Sequence, residues 1–165
     1  MYTNRDRFPQ KESITMSEIV YRQASSQDFI ALAKIRALGS GSIEHWADRI
    51  ENYWRGLVNP QHALAPRIIY VAVFDNEVVG FIAGHLTQRL HCEGELQWID
   101  TIPAFRNRGI ASHLLKLLAA WFVNNNAYKI CVDPGNAVAR RFYQRNGAAN
   151  LDDHWMFWSD IKMIV

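Results

Sequence analysis

From residue 19 onward the chain alternates short apolar runs of period two with longer stretches whose apolar positions recur every three or four residues. Residues 19 to 24, IVYRQA, predict a strand. Ser25 with Asp28 three positions on has the pattern of a capping box and predicts a helix to about Leu38, broken by Gly39 and Gly41. From Ser42 the residues Ile43, Trp46, Ala47, Ile50, Tyr53, Trp54 and Leu57 form one apolar stripe, which predicts a second, amphipathic helix. Gly56 and Asn59-Pro60 end it, and Pro66 closes the following loop.

Two apolar runs, 68 to 75 (IIYVAVFD) and 77 to 90 (EVVGFIAGHLTQRL), predict strands joined tightly at Asp75-Asn76-Glu77 as an antiparallel hairpin. A third strand is expected over 94 to 102, after a turn at Cys92-Glu93-Gly94. Beyond Pro103 the period changes. Ile110, Leu114, Leu115, Leu117, Leu118, Trp121 and Phe122 describe an amphipathic helix that starts within 106 to 111 and stops at Asn124-Asn125-Asn126. A strand over 128 to 133, a helix from Asn136 to Arg145 with Gly147 as its left-handed cap, and a last strand over 154 to 161 complete the reading. Strands in succession followed by strand–helix alternation predict an α/β fold, a mixed sheet with helices on both faces. Residues 94 to 133 are expected to form a right-handed parallel crossover.

The chain has 165 residues, with 49% hydrophobic and 21% charged, a composition that supports one domain with a sizeable core. Residues 1 to 16 read as a polar extension, with Met16 an alternative start, and 17 to 165 as the single domain. The opening residues carry no secretory pattern, and no apolar run reaches the roughly 18 residues of a membrane span. Cys92 and Cys131 allow at most one bridge, so a reduced, cytoplasmic setting is expected. With 18 Lys+Arg against 16 Asp+Glu the net charge is +2, too small to make nucleic acid or an anionic membrane the expected partner. The histidines have no zinc-ligand spacing, and no metal is expected. Six tryptophans exceed what a minimal core requires, which leaves some for a ligand.

The segment richest in chemical signal runs from Ile99 to Ser112, IDTIPAFRNRGIAS. A strand ends, a loop with Arg106, Arg108 and Gly109 follows, and a helix begins. Backbone N–H groups without intrahelical partners converge at such a junction, and the helix dipole adds partial positive charge, so a pyrophosphate fits there. A plain surface turn before a core helix has the same composition. The spacing is neither GxGxxG nor that of a P-loop, which disfavours an adenine-nucleotide binder.

Arg106-Asn107-Arg108-Gly109-Ile110-Ala111 resembles the Arg/Gln-x-x-Gly-x-Gly/Ala signature of the GNAT superfamily of N-acetyltransferases, preceded by the familiar Pro-x-aromatic step at Pro103-Ala104-Phe105. Asn136, with Ala139-Arg140-Arg141-Phe142-Tyr143-Gln144-Arg145-Asn146-Gly147-Ala148, resembles the family's second conserved segment. The match covers about 94 to 148 and departs at Ala148, where an aromatic is usual, and at Ala111, where glycine is commoner. The resemblance implies the GNAT acyltransferase fold, a mixed, mostly antiparallel central sheet with helices on both faces, and acetyl-CoA as donor with no metal. It implies that the backbone of Ile99, Asp100 and Thr101 holds the pantetheine arm. Arg106, Asn107, Arg108, Gly109, Ile110, Ala111 and Ser112 would hold the pyrophosphate. Asn136 and Tyr143 would touch the cofactor further along, although Asn136 is equally suited to cap a helix.

Acetyl transfer to an amine needs a neutral nucleophile, whereas a lysine-type amine has a pKa of roughly 10.4, so a base is required. The resemblance points to Glu95 as that base. As a strand-edge carboxylate it has a plain structural alternative. Asp100, an acid within an apolar strand, competes, and Asp133, at the end of the next strand, is a third option that is equally suited to start the turn into Pro134. Strict alternation places Glu95, Gln97, Ile99 and Thr101 on one face and Leu96, Trp98, Asp100 and Ile102 on the other, unless a bulge upsets the parity. Tyr143 stands where the family has a tyrosine general acid, or packs in the core. A covalent acetyl-cysteine route lacks a recognisable base beside either thiol.

For the acceptor, His45, Trp46, Arg49, Tyr53 and Trp54 of the second helix, with His91 and Trp98, are candidates, although the helix spacing is also that of a buried face. The expected activity is transfer to a primary amine of a small molecule, a protein N-terminus or a lysine, by direct attack in a ternary complex. The alternative is a non-catalytic acyl-CoA-binding or sensing domain. A homodimer is left open.

Overall fold

A computed structural model describes residues 17–165, so the predicted extension over 1–16 lies outside the described residues. A short strand β1 (Val20–Gln23) leads through a 3-10 turn into α1 (Phe29–Ala37). The capping box is present, with the Asp28 carboxylate accepting from the Ser25 amide at 2.8 Å. Arg22 grips the same carboxylate with both terminal nitrogens and holds it below the ordinary range. The amphipathic stripe becomes α2 (Ile43–Trp54), capped by Ser42, whose hydroxyl accepts from the His45 amide.

Then follow β2 (Leu64–Phe74), β3 (Glu77–Leu86) and β4 (Gly94–Thr101), α3 (Ile110–Asn124), β5 (Ile130–Val132), α4 (Ala137–Arg145), β6 (Ala149–Asn150) and β7 (Met156–Trp158). The strands form one seven-stranded sheet in the order β1-β2-β3-β4-β5-β7-β6. Its pairings are antiparallel apart from β4 with β5, which α3 connects.

Two differences from the sequence reading have local causes. The loop expected to close at Pro66 is already part of β2, because Ala65 and Pro66 sit in a register shift between Leu64↔Leu86 and Arg67↔His85, where a residue without an N–H is tolerated. The expected last strand over 154 to 161 shrinks to three residues. Asp152 accepts from the amides of His154 and Trp155, and Asp160 from that of Lys162, which curls the chain at both ends.

One face of the sheet packs on α1 and α2 through Leu32, Ala33, Ile50 and Tyr53 against Ile69, Val71, Phe81 and Trp98. The other packs on α3 through Leu114, Leu115, Leu118 and Phe122 against Ile82, Leu96 and Ile130. The α3 layer lies so close that a Cβ at Gly94 would stand 2.8 Å from Ile130 and against the Phe122 ring. Gly94→Ala is therefore expected to cost about 1–3 kcal/mol by overpacking and to lower Tm by roughly 2–12 °C. A thermal melt that leaves Tm unchanged would contradict this approach of α3 to the sheet. Among the described residues no helix is long and apolar enough to cross a membrane.

Candidate active site

The site is shaped by one extra residue in β4. Trp98 pairs with Ala83 and Leu96 with Gly84, which leaves Gln97 as a β-bulge. Leu96 accordingly packs in the α3 layer and Trp98 in the α1–α2 layer, although strict alternation puts both on one face. The expected parity is corrected by this bulge. Glu95, Trp98 and Asp100 all turn toward α1 and α2, where Glu95 meets His85 and Asp100 meets Arg36.

The same strand is left uncovered on its other side. β5 pairs with β4 only at Gly94↔Ile130, Glu95↔Cys131 and Leu96↔Val132, and ends at Val132. From the bulge through Ile99, Asp100 and Thr101, the backbone edge facing β5 therefore has no strand partner. An open edge of this kind presents N–H and C=O groups to an extended ligand.

At the end of β4, Pro103–Phe105 make a 3-10 turn and Arg106 Nε donates to the Thr101 carbonyl at 3.2 Å. Asn107 (φ 60°) and Gly109 (φ 78°) adopt left-handed conformations that swing the chain into α3. Arg106, Asn107, Arg108 and Gly109 are exposed, Ala111 and Ser112 half-buried, and Ile110 buried as the first core residue of the helix. A Cβ at Gly109 would meet nothing within 4 Å, so the space over the first free amides of α3 is open. The Arg108 guanidinium lies 4.7 Å over the Phe105 ring.

Asn136 does cap α4, its Oδ1 accepting from the Ala139 amide at 2.8 Å. Tyr143 is 4% exposed and packs edge-on against Trp158. Burial pushes its phenol above the ordinary value, with the Asp100 charge adding and Arg36 opposing, so it carries its proton at neutral pH. The packed-core reading and an available proton coexist in this residue.

Glu95 is only 5% exposed. Its Oε2 stands 3.3 Å from His85 Nε2 and 3.2 Å from Arg89 Nε. On the far side of the imidazole, Tyr53 Oη lies 2.9 Å from Nδ1. Burial pushes the Tyr53 phenol well up, Arg67 opposing and Glu95 adding. The reading of residues in sequence missed His85 and Arg89 as partners of Glu95. The signal that finds them is the hairpin register, in which His85 and Glu95 are direct cross-strand neighbours.

Nearer the open edge, Arg36 of α1 pairs with Asp100 at 2.7 Å and lies 4.3 Å over the Trp46 ring and 5.8 Å from Trp98. Burial still outweighs the guanidinium and holds the Asp100 carboxyl above the ordinary range. Arg36 was not among the sequence candidates.

Of the expected acceptor residues, Trp46 and Trp98 flank this ion pair and the exposed His45 adjoins Trp46. Tyr53 is wholly buried beneath them, Trp54 packs against Phe29, and Arg49 is half-buried on α2. His91 is exposed in the turn before β4, at the end of that strand remote from Asp100. Asp133 starts the turn after β5, accepting from the Gly135 amide, with His154 3.0 Å away.

Both cysteines are free and buried. The neighbouring Cys92 thiol, burial and the charge of Glu95 push the Cys131 thiol up, which makes it a poor nucleophile. Among the described residues no group of three or more His, Cys, Asp or Glu could hold a metal ion.

A seven-stranded, mostly antiparallel sheet with one uncovered strand edge leading into a glycine-bearing helix start defines an acyltransferase architecture. A model of the acetyltransferase (GNAT) family matches residues 29–148, and the chain belongs to that family of N-acetyltransferases. It is 23% identical over 129 residues to an aminoglycoside N(6')-acetyltransferase type 1 of Salmonella enteritidis, covering 68% of this chain and 89% of the relative. In fold it is similar to the PaiA N-acetyltransferase of Thermoplasma acidophilum in complex with coenzyme A, with a TM-score of 0.63, 18% identity and coverage of 85% and 98% of the two chains. It is also similar to the aminoglycoside 6'-N-acetyltransferase of Enterococcus faecium, with a TM-score of 0.65, 16% identity and coverage of 86% and 97%.

Proposed function

We propose that the protein transfers the acetyl group of acetyl-CoA to the primary amine of a small molecule, by direct attack of the amine within a ternary complex. The observation that carries this reading is the uncovered edge of β4 running from the bulge at Gln97 to Thr101 and directly into the open start of α3. A pantetheine arm fits the backbone of Ile99, Asp100 and Thr101 as an added strand. The pyrophosphate fits the amides of Gly109 through Ser112, with Asn107 at the turn and Arg106 and Arg108 supplying charge. Asn136, whose Oδ1 is engaged by the helix cap, offers its amide NH2 further along. Relatives that act on aminoglycosides or bind coenzyme A support both halves of the reading.

The donor supplies an activated thioester; the chain's residues supply the proton transfers and the positioning. Glu95 takes a proton from the acceptor ammonium, directly or through water, so that the amine attacks neutral. The buried, protonated Tyr143 hydroxyl gives its proton to the leaving thiolate, and the proton that the attacking nitrogen sheds as the amide forms restores it, directly or through water. Asp100 is the alternative base; paired with Arg36, it is placed here with Trp46 and Trp98 in the acceptor wall.

Thiol release from acetyl-CoA, measured across small amines, amino acids, aminoglycosides and N-terminal peptides, tests the reading. Turnover with a small amine is the expected result. Coenzyme A binding with no thiol release from any acceptor would instead make this a binding or sensing domain. Tyr143→Phe keeps the ring in its place against Trp158 and is expected to lower kcat by about 10²-fold with coenzyme A affinity unchanged. A variant that turns over at the parent rate would remove Tyr143 from the reaction.

A further inference from the structure

The buried side chains behind Glu95 form a line whose hydrogen bonds have a determined direction. Tyr53 is 0% exposed and its phenol is held protonated by burial, so its hydroxyl has a proton to donate, and its one hydrogen-bond partner among the described residues is His85 Nδ1 at 2.9 Å. An Nδ1 that accepts places the imidazole proton on Nε2. Nε2 faces Glu95 Oε2 at 3.3 Å, and an ionised carboxylate can only accept, so this proton points at Glu95. His85 itself is 1% exposed.

Arg89 does not duplicate this hold. Its Nε is 3.2 Å from the same oxygen, yet it is buried without a hydrogen bond, because the N–H is not aligned on Oε2. The Arg89 side chain is instead shared with Trp155, its guanidinium 4.9 Å from that ring. Arg89 thus supplies charge and His85 supplies direction. Both act on Oε2, while Oε1 of Glu95 makes no hydrogen bond among the described residues, and 7% of the Glu95 side chain stays exposed.

We propose that His85, with its tautomer set by the Tyr53 hydroxyl, is the positioning residue for the catalytic base: it pins Oε2 of Glu95 so that Oε1 is the oxygen presented to the acceptor amine. The proposal rests on the reading of Glu95 as base. No proton leaves His85 in the cycle. The imidazole keeps its Nε2 proton and donates it to Oε2, while the proton taken from the ammonium resides on Oε1 until it passes to solvent. Glu95 lies in the paired part of β4, opposite His85 on β3 and Cys131 on β5, and this register brings the imidazole beside the carboxylate, whose side-chain torsion backbone pairing alone does not fix.

The test combines kinetics with a spectroscopic readout. In the full chain, His85→Phe removes the donor and is expected to lower kcat by about 10- to 100-fold, the usual size of effect when a group orienting a functional side chain is lost, with KM for acetyl-CoA unchanged. His85→Gln can still donate to Oε2 and is expected to recover kcat to within about threefold of the parent. Tyr53→Phe, nearly isosteric, deletes only the hydroxyl and guards against a His85 variant that fails to fold; it is expected to lower kcat severalfold. In the unmodified protein, the 15N shifts of the His85 ring should report the proton at Nε2 and an unprotonated, accepting Nδ1. An Nδ1–H tautomer, parent-like turnover in His85→Phe, or a folded His85→Gln no faster than His85→Phe would each overturn the proposal. A slow Glu95→Gln beside a fast His85→Phe would sink the role of His85 alone. A Glu95→Gln variant that turns over normally would remove the base assignment and the positioning role with it.

Discussion

Glu95→Gln is expected to lower kcat/KM for the acceptor amine by 10²-fold or more, about 2.7 kcal/mol or above in transition-state free energy, while coenzyme A binds as before. The amide keeps the volume of the carboxylate and can still meet His85 Nε2, so the packing around Tyr53 and Trp98 survives the change. What is lost is the ability to take a proton. Thiol release measured over a range of amine concentrations, beside calorimetric titration of coenzyme A, separates the two effects. A variant within a few fold of the parent would move the base elsewhere, with Asp100, on the same face of β4 and paired with Arg36, the next to be replaced.

Gly109→Trp carries the second large effect. The residue stands at φ 78° with open space where a Cβ would be, at the entrance to the first turn of α3. An indole there would fill the volume assigned to the pyrophosphate and strain the backbone, and coenzyme A affinity is expected to fall by more than about 100-fold. Gly109→Ala separates the causes. It imposes a left-handed penalty of about 1–2 kcal/mol without the bulk, so its loss of affinity should be clearly smaller. Retained binding in the Trp variant, read by the same titration, would take the pyrophosphate out of this loop.

Much of the fold follows from short-range rules that a sequence displays. The Ser25–Asp28 pair caps the entry to α1, the stripe from Ile43 to Trp54 is α2, the turn at Asp75-Asn76 joins β2 to β3, and the leucines from 114 to 118 bury one side of α3. Each rests on a period or a cap spanning a few residues. The misses fall where side chains act on backbone at short range but outside any period. Asp152 and Asp160 cut the last strand to three residues, and the register shift at Ala65-Pro66 extends β2 backward.

The candidate site divides along the same line. The loop from Arg106 to Ser112 and the cap at Asn136 are contiguous stretches whose backbone conformation is set by their own residues, Gly109 above all. The surroundings of Glu95 are of another kind. Strict alternation would have put Asp100 on the face opposite Glu95; the bulge at Gln97 reverses that and brings both carboxylates to the α1–α2 side.

The amino-acid sequence by itself therefore determined the family, the element order apart from the two-residue β6, and the loop proposed to hold the pyrophosphate, because these depend on local torsions, caps and periodicity. Only the tertiary structure decided that β4 has an uncovered edge, that His85 and Arg89 stand behind Glu95, and that Arg36 meets Asp100 between two tryptophans. Those partners lie on separate elements. They meet through sheet register and the requirement that buried polar groups find partners, and a single unpaired residue in a strand suffices to change which side chains meet.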